Sequence, residues 1–328
     1  MNRRAWLLLT ILAAVWGASY LFIKVALDDG VPPIFVVFSR VALGAAVLVA
    51  LAARSGVMRA ACSHHWGPIA VLAIVQVVSP FLLIAYGEQH IASSLTGIIV
   101  AATPIFTALI AARVDQDERP RGIAAAGVVV GIVGVGLLFG FDLSGDGEAL
   151  LGGLMVLLAA LGYAVGGLFL KHRLRDVPAL GLAAATMIVA TLTLLPAALL
   201  ELPSATPSLE ATASLLALGA GGTGVAFMIF YTLIADVGPS RAALVTYIAP
   251  GYAVLYGVWL LSEPLTAGGI LGLVLILSGS WLAAEGRIPG RVRASAEADL
   301  AVGARSRLGA LDEVQALDRR LEQPCDQP

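Results

Sequence analysis

Ten predominantly apolar runs organise this sequence, at residues 7–27, 34–53, 66–87, 92–112, 122–141, 150–170, 179–200, 211–234, 242–262 and 266–284. A helix needs about 20 such residues to cross the hydrocarbon core of a bilayer. A barrel strand needs only about 10 and alternates in polarity, whereas these runs are apolar all round. The connections carry turn signals such as Asp28-Asp29-Gly30, Asp115-Gln116-Asp117 and Ser144-Gly145-Asp146-Gly147. The expected fold is therefore an all-α integral membrane protein with ten transmembrane helices. Composition agrees: 59% of residues are hydrophobic and 13% charged, against roughly 25% charged in a soluble domain. The first run, from Trp6 to Leu27, exceeds the apolar core of a signal peptide, and no small-x-small cleavage site follows it, so it reads as an uncleaved span.

The distribution of Lys and Arg tests the count. With the N-terminus in the cytoplasm, cytoplasmic connections hold Arg54 and Arg59, then Arg113, Arg119 and Arg121, then Lys171, Arg173 and Arg175, then Arg241. The two ends add Arg3, Arg4, Arg287, Arg291 and Arg293. The opposite connections hold Asp28, Asp29, Glu88, Asp142, Asp146, Glu148, Glu201, Glu210 and Glu263, and no Lys or Arg. One miscounted span would invert every later loop, so this agreement with the positive-inside rule supports ten spans with both termini cytoplasmic. A net charge of −2 offers no basic face for nucleic acid. Residues 286–328 read as a polar cytoplasmic tail. Cys62 and Cys325 both fall on the cytoplasmic side, where a structural disulfide is not expected.

An offset of about 146 residues exposes an internal repeat. Trp16-Gly17-Ala18-Ser19-Tyr20-Leu21-Phe22-Ile23-Lys24 lies over Tyr163-Ala164-Val165-Gly166-Gly167-Leu168-Phe169-Leu170-Lys171, Ser94 over Ser240, and Thr103-Pro104 over Ala249-Pro250. Two units follow, 1–145 and 146–285, each with five spans. Five is odd, so the second unit enters the membrane inverted. Inverted repeats typify secondary transporters, whose substrate lies between the halves near the midplane.

The motifs Trp16-Gly17-x-x-Tyr20-x-x-x-Lys24, Phe38-Ser39-Arg40, Gly238-Pro239-Ser240-Arg241-Ala242, Tyr247-Ile248-Ala249-Pro250 and Leu260-Leu261-Ser262-Glu263-Pro264-Leu265 resemble the drug/metabolite transporter superfamily in its EamA branch. The resemblance covers residues 5–285. It implies a ten-helix, two-repeat carrier of a bacterial inner membrane, often an exporter of metabolites, amino acids or drugs, with a central pocket lined by spans 1, 3, 4, 6, 8 and 9. One departure is Asp115-Gln116-Asp117-Glu118-Arg119, which lacks the usual hydrophobic-Gly-Glu form.

Ionisable groups inside spans are costly and often functional. Lys24, Arg40 and Glu88 cluster towards the outer mouth, as a charged rim or as a binding group for an anionic part of the substrate. Against that stand snorkelling of Lys24 and structural pairing of Arg40 with Glu88. Trp16, Tyr20, Gln76, Tyr163, Tyr231 and Tyr247 are candidate substrate-binding residues, because aromatic faces with polar tips suit a small-molecule pocket; packing and interface anchoring are the plain alternatives. Pro104 and Pro250, matched in the repeats, are candidate hinges. Gly127-x-x-x-Gly131, Gly136-x-x-x-Gly140 and Gly268-x-x-x-Gly272 suggest close helix packing within the bundle or in a homo-oligomer.

No P-loop and no metalloprotease or serine-hydrolase signature is present, so no ATP hydrolysis, cofactor, metal or enzymatic activity is expected. His64-His65 read as solvated. The expected function is a secondary transporter of a small molecule working by alternating access. A membrane-embedded enzyme or sensor would need converging acids or histidines, and a channel a continuous polar stripe.

Overall fold

The computed structural model describes residues 1–57, 66–114, 120–143 and 146–285. Cys62, His64-His65, the 115–119 acidic segment, Ser144-Gly145 and the 286–328 tail with Cys325 lie outside the described residues. Ten helices account for most of the described chain. They are α1 Arg3–Asp28, α2 Pro33–Arg54, α3 Trp66–Gly87, α4 Ser93–Val114, α5 Ile123–Phe141, α6 Gly147–Arg173, α7 Ala179–Leu200, α8 Leu209–Val237, α9 Val245–Leu260 and α10 Ala267–Glu285. Among the described residues, nine of these are long and apolar enough to cross a membrane, and α9, with 16 residues, is shorter.

The shortness of α9 departs from the 242–262 span and has a local cause. A separate turn of helix, Pro239–Ala242, precedes it. The chain then tightens, with Thr246 N donating to Ala243 O at 3.0 Å and Tyr247 N to Leu244 O at 3.1 Å. These are bonds across three residues, which end one helical run and begin another.

The packing has the symmetry that an inverted repeat requires. Exchanging the halves turns α1 into α6, α2 into α7, and so on to α5 and α10. In the structure α2 packs on α7 and α5 on α10, each helix on its own counterpart. Likewise α1 packs on α8 and α9, while α6 packs on α3 and α4. The α5–α10 seam is the tightest. A Cβ on Gly279 would strike the backbone of Gly127 and Gly131, and one on Gly127 would strike Leu282 and Ala283. Without a hydrophobic force between helices in lipid, such close approach is what holds the pair. These glycines therefore serve packing inside the bundle. Val129, Ile132 and Val133 on α5 and Ile270, Leu271 and Val274 on α10 stay exposed, as lipid-facing residues do.

Charge separates the two ends of the bundle. One end carries Arg3, Arg4, Arg54, Arg113, Arg121, Arg173, Arg175 and Arg241, with Asp176 and Asp236 among them; the other carries Asp28, Asp29, Glu88, Glu148, Glu201, Glu210 and Glu263, with Lys24 beside Asp28. The acidic end is stitched across the halves. Asp29 Oδ2 accepts from Ser208 N at 2.9 Å, and His90 Nδ1 lies 3.6 Å from Glu148. Glu263 accepts from Ser93 N at 2.7 Å and Ser94 N at 2.9 Å. The last contact caps α4: its first free N–H groups carry partial positive charge, which a carboxylate satisfies.

Candidate functional site

α3 and α8 are counterparts, and each contains a stretch of wider π-helical turn, Ala73–Val78 and Ala217–Val225. Such turns concentrate at functional sites. In α3, Pro80 has no N–H, so the Gln76 carbonyl loses its ordinary helical donor just where the turn widens. In α8, the run Gly219-Ala220-Gly221-Gly222-Thr223-Gly224 surrounds Thr223 with residues small enough for α2 to press against it. A Cβ on Gly219 would strike Leu43, one on Gly224 would strike Val47, and one on Gly44 would strike Thr223.

That close approach positions Arg40. Its Nε donates to Thr223 Oγ1 at 3.3 Å, and its guanidinium carbon stands 3.9 Å from the centre of the Phe81 ring. Stacking of this kind is worth about 0.5 kcal/mol when exposed and about 2 when desolvated. Phe81 in turn meets Tyr163 edge-on at 6.4 Å between ring centres. Arg40 is half-buried. Among the described residues its two Nη nitrogens have no hydrogen-bond partner, yet they are not sealed from solvent. A guanidinium fork left free in this way fits a carboxylate or another planar anion.

Tyr20 joins this group, close enough to Arg40, Tyr163 and Glu88 for electrostatic interaction. A second aromatic wall continues from it. Trp16 meets Phe230 at 5.3 Å and Phe227 at 6.3 Å, and Tyr231 meets Phe227 at 5.9 Å and Phe230 at 6.2 Å. Trp16, Tyr20, Tyr163, Tyr231 and Arg40 thus gather between α1, α2, α6 and α8, on the seam of the two halves. Gln76 packs over Gly166 of α6, where a Cβ would strike its side chain. Tyr247 takes another direction: its hydroxyl reaches Ser280 O on α10 at 3.5 Å.

The charged trio is divided. Lys24 Nζ donates to Glu88 O at 2.9 Å and lies 3.6 Å from Asp28. Arg40 lies deeper, and among the described residues no ion pair joins it to Glu88; its partners are Thr223 and Phe81. Glu88, the first residue beyond α3, is fully buried, and neither carboxyl oxygen has a hydrogen-bond partner. Burial holds its carboxyl well above the ordinary carboxylate range; Lys24 pulls the other way, and Glu263 reinforces the rise.

The matched prolines behave differently. At Pro104 the helix breaks over Ala101–Ala102. Two carbonyls freed there find hydroxyls: Thr103 Oγ1 donates to Val100 O at 2.7 Å, and Ser280 Oγ to Ala101 O at 2.9 Å. Pro250 sits buried inside a continuous α9. Among the described residues no group of three or more His, Cys, Asp or Glu is placed to hold a metal ion. Phe81, Thr223, Phe227 and Phe230 were not singled out from sequence. Pro80 beside Phe81 and the glycines around Thr223 were the available signals, though both patterns are common in membrane helices.

A model of the EamA-like transporter family matches residues 4–140 and again 150–284. The chain is 28% identical to a probable amino-acid metabolite efflux pump of Escherichia coli, over 86% of this chain and 95% of that protein. It is 26% identical to the uncharacterized transporter YoaV of Bacillus subtilis, over 82% and 92%, and 26% identical to the uncharacterized inner membrane transporter YedA of Escherichia coli, over 82% and 89%. A crystal structure shares its fold, with a TM-score of 0.63 at 22% identity, covering 87% of this chain and 98% of that one. The chain belongs to the EamA-like transporter family and is a multi-pass membrane protein.

Proposed function

We propose that this family member is a secondary carrier that exports a small amino-acid-type metabolite by alternating access, from the cytoplasm across a bacterial inner membrane. The basic end, with both termini, faces the cytoplasm, as the positive-inside rule requires. Substrate lies on the seam between the halves. Arg40 takes its carboxylate, and the walls of Trp16, Tyr20, Tyr163 and Tyr231 enclose its side chain. Rocking of one half against the other exposes this site to each end in turn. The break before Pro104 supplies a joint in α4, while α9 runs unbroken through Pro250.

The observation that carries this reading is the free guanidinium of Arg40. A cation placed among helices for structure alone would have its donors consumed by carbonyls or a carboxylate. Arg40 instead has its stem and Nε fixed and its fork open. The relative named as an amino-acid metabolite efflux pump supports the substrate class.

The test is exchange of labelled amino acids in proteoliposomes holding the full chain. Internal unlabelled amino acid should accelerate uptake of the label, and amidation of the substrate carboxylate should abolish that acceleration. Equal handling of acid and amide would remove Arg40 as the carboxylate anchor. Flux that ignores the internal substrate would favour a channel.

A further inference from the structure

The polar groups at the acidic end are arranged unevenly. The Glu88 carboxyl is fully buried, and both its oxygens are unpartnered. The Ser93 hydroxyl is 1% exposed and also unpartnered, although its backbone N–H is held by Glu263. The charged and titratable groups around Glu88 come from every element nearby. α1 contributes Lys24, Asp28 and the phenol of Tyr20, α2 contributes Arg40, and the connection between α9 and α10 contributes Glu263. His90, two residues on, is turned to Glu148 of α6.

The position of Lys24 is informative. Its ammonium reaches the backbone carbonyl of Glu88 and the carboxylate of Asp28, and no ion pair joins it to the Glu88 carboxylate. An ionised carboxylate buried this close would be its strongest partner, and leaving that charge unpaired would cost several kcal/mol. A neutral carboxylic acid makes no such demand. A metal cation is a poor alternative occupant, because hard cations take six or more oxygen ligands, and no cluster of three acids or histidines is present among the described residues.

We propose that Glu88 is a proton-binding site built into the acidic end of the carrier, loaded while that end is closed and emptied when the end opens. Opening parts the stitches Asp29–Ser208, His90–Glu148 and Glu263–Ser93, and admits water to the carboxyl. Glu88 then ionises, its proton passes to the water on that side, and Lys24 becomes free to pair with the carboxylate. The sign follows from linkage: the closed form binds one more proton than the open form, so falling pH favours closure and rising pH favours opening. The inference rests on the alternating-access reading but requires no knowledge of the substrate.

Infrared spectra of the full-length protein in lipid nanodiscs test it directly. At pH 7 the native chain should show the C=O stretch of a buried protonated carboxyl, and Glu88→Gln should lose that band. A spectrum unchanged by the substitution at pH 7 would overturn the proposal. A second readout uses Val31→Cys at the acidic end, in a Cys62→Ser, Cys325→Ser background, labelled by a membrane-impermeant maleimide. Relative to the intrinsic rise of thiolate reactivity, read from the same labelling in denaturant, labelling should accelerate as pH rises, and Glu88→Gln should remove that excess; the same excess with and without Glu88→Gln overturns the proposal. Should Glu88→Gln not fold, Glu88→Asp retains a titrating group and should move the midpoint of the band's pH titration, whereas an unmoved midpoint excludes Glu88 as its source. Replacing sodium by choline should leave the band unchanged, and sodium-dependent loss would point to a metal cation instead. None of these readouts measures transport, so their failure is distinct from failure of the exchange assay.

Discussion

α2 and α7 occupy the same place in the two repeats, have the same length of 22 residues, and pack against each other. Seven residues after its first, α2 presents Arg40, held by Thr223 and Phe81 with its fork free. The same step along α7 reaches Thr186, a buried residue whose hydroxyl turns back to Leu182 O at 2.7 Å. Four residues further, Gly44 admits Thr223 against α2, while Ala190 fills the corresponding place in α7. Both repeats contribute to the frame, and one of them carries the charge. In the proposed carrier, the symmetric frame would let the two halves rock about a shared axis, and the asymmetric site would give the substrate one orientation.

Substitutions in the frame and in the site should separate these roles. The largest effect is expected at the α5–α10 seam. Gly279→Leu drives a side chain into the backbone of Gly127 and Gly131, beyond the 1–3 kcal/mol typical of overpacking. Size-exclusion chromatography should show loss of the monodisperse protein, whereas Gly136→Ala, where a Cβ meets nothing within 4 Å, should leave it intact. Arg40→Ala should keep the fold and lower exchange on the order of 10- to 100-fold, from a charged hydrogen bond of about 1.5–3 kcal/mol. Its counterpart Thr186→Ala should change exchange by less than about twofold, since that hydroxyl serves only its own helix. If the two variants lose exchange equally, the chemical asymmetry is wrong.

Smaller effects test the stitches. Glu263→Ala removes two hydrogen bonds from the N-terminus of α4 and should cost about 1–2 kcal/mol of stability, read as a lower melting temperature in detergent. Ser280→Ala removes the donor to Ala101 O at the break in α4. Side-chain bonds between membrane helices average about 0.6 kcal/mol, so its stability should hardly change. A large loss there would mean that the break depends on Ser280 for its existence, and that the difference between α4 and α9 originates in α10.

The architecture was legible because its signals are strong and redundant. Run length, the alternation of Arg-rich and acidic connections and the matched motifs all point to ten helices in two inverted fives. The boundary of the ninth span was not legible, since Ala243 and Leu244 are as apolar as the helix they interrupt. Glu263 was readable as a loop acid, but its service to α4, 170 residues away from Ser93 in sequence, follows only from the packing. The site was half legible. Arg40 stands out as a charge in an apolar run, and so do Trp16, Tyr20 and Tyr163. Phe81, Phe227 and Phe230 do not, because in a chain where lipid-facing and cavity-facing residues are both apolar, composition gives no contrast between them. The contact of the Tyr247 hydroxyl with Ser280 O on α10 likewise follows only from the packing.

Initial rates of labelled amino-acid exchange in proteoliposomes, for the native chain, Arg40→Ala and Thr186→Ala at matched incorporation, test the central claim most directly. The account predicts exchange that survives Thr186→Ala and falls by an order of magnitude or more with Arg40→Ala. Exchange that is untouched by Arg40→Ala in folded protein would contradict it.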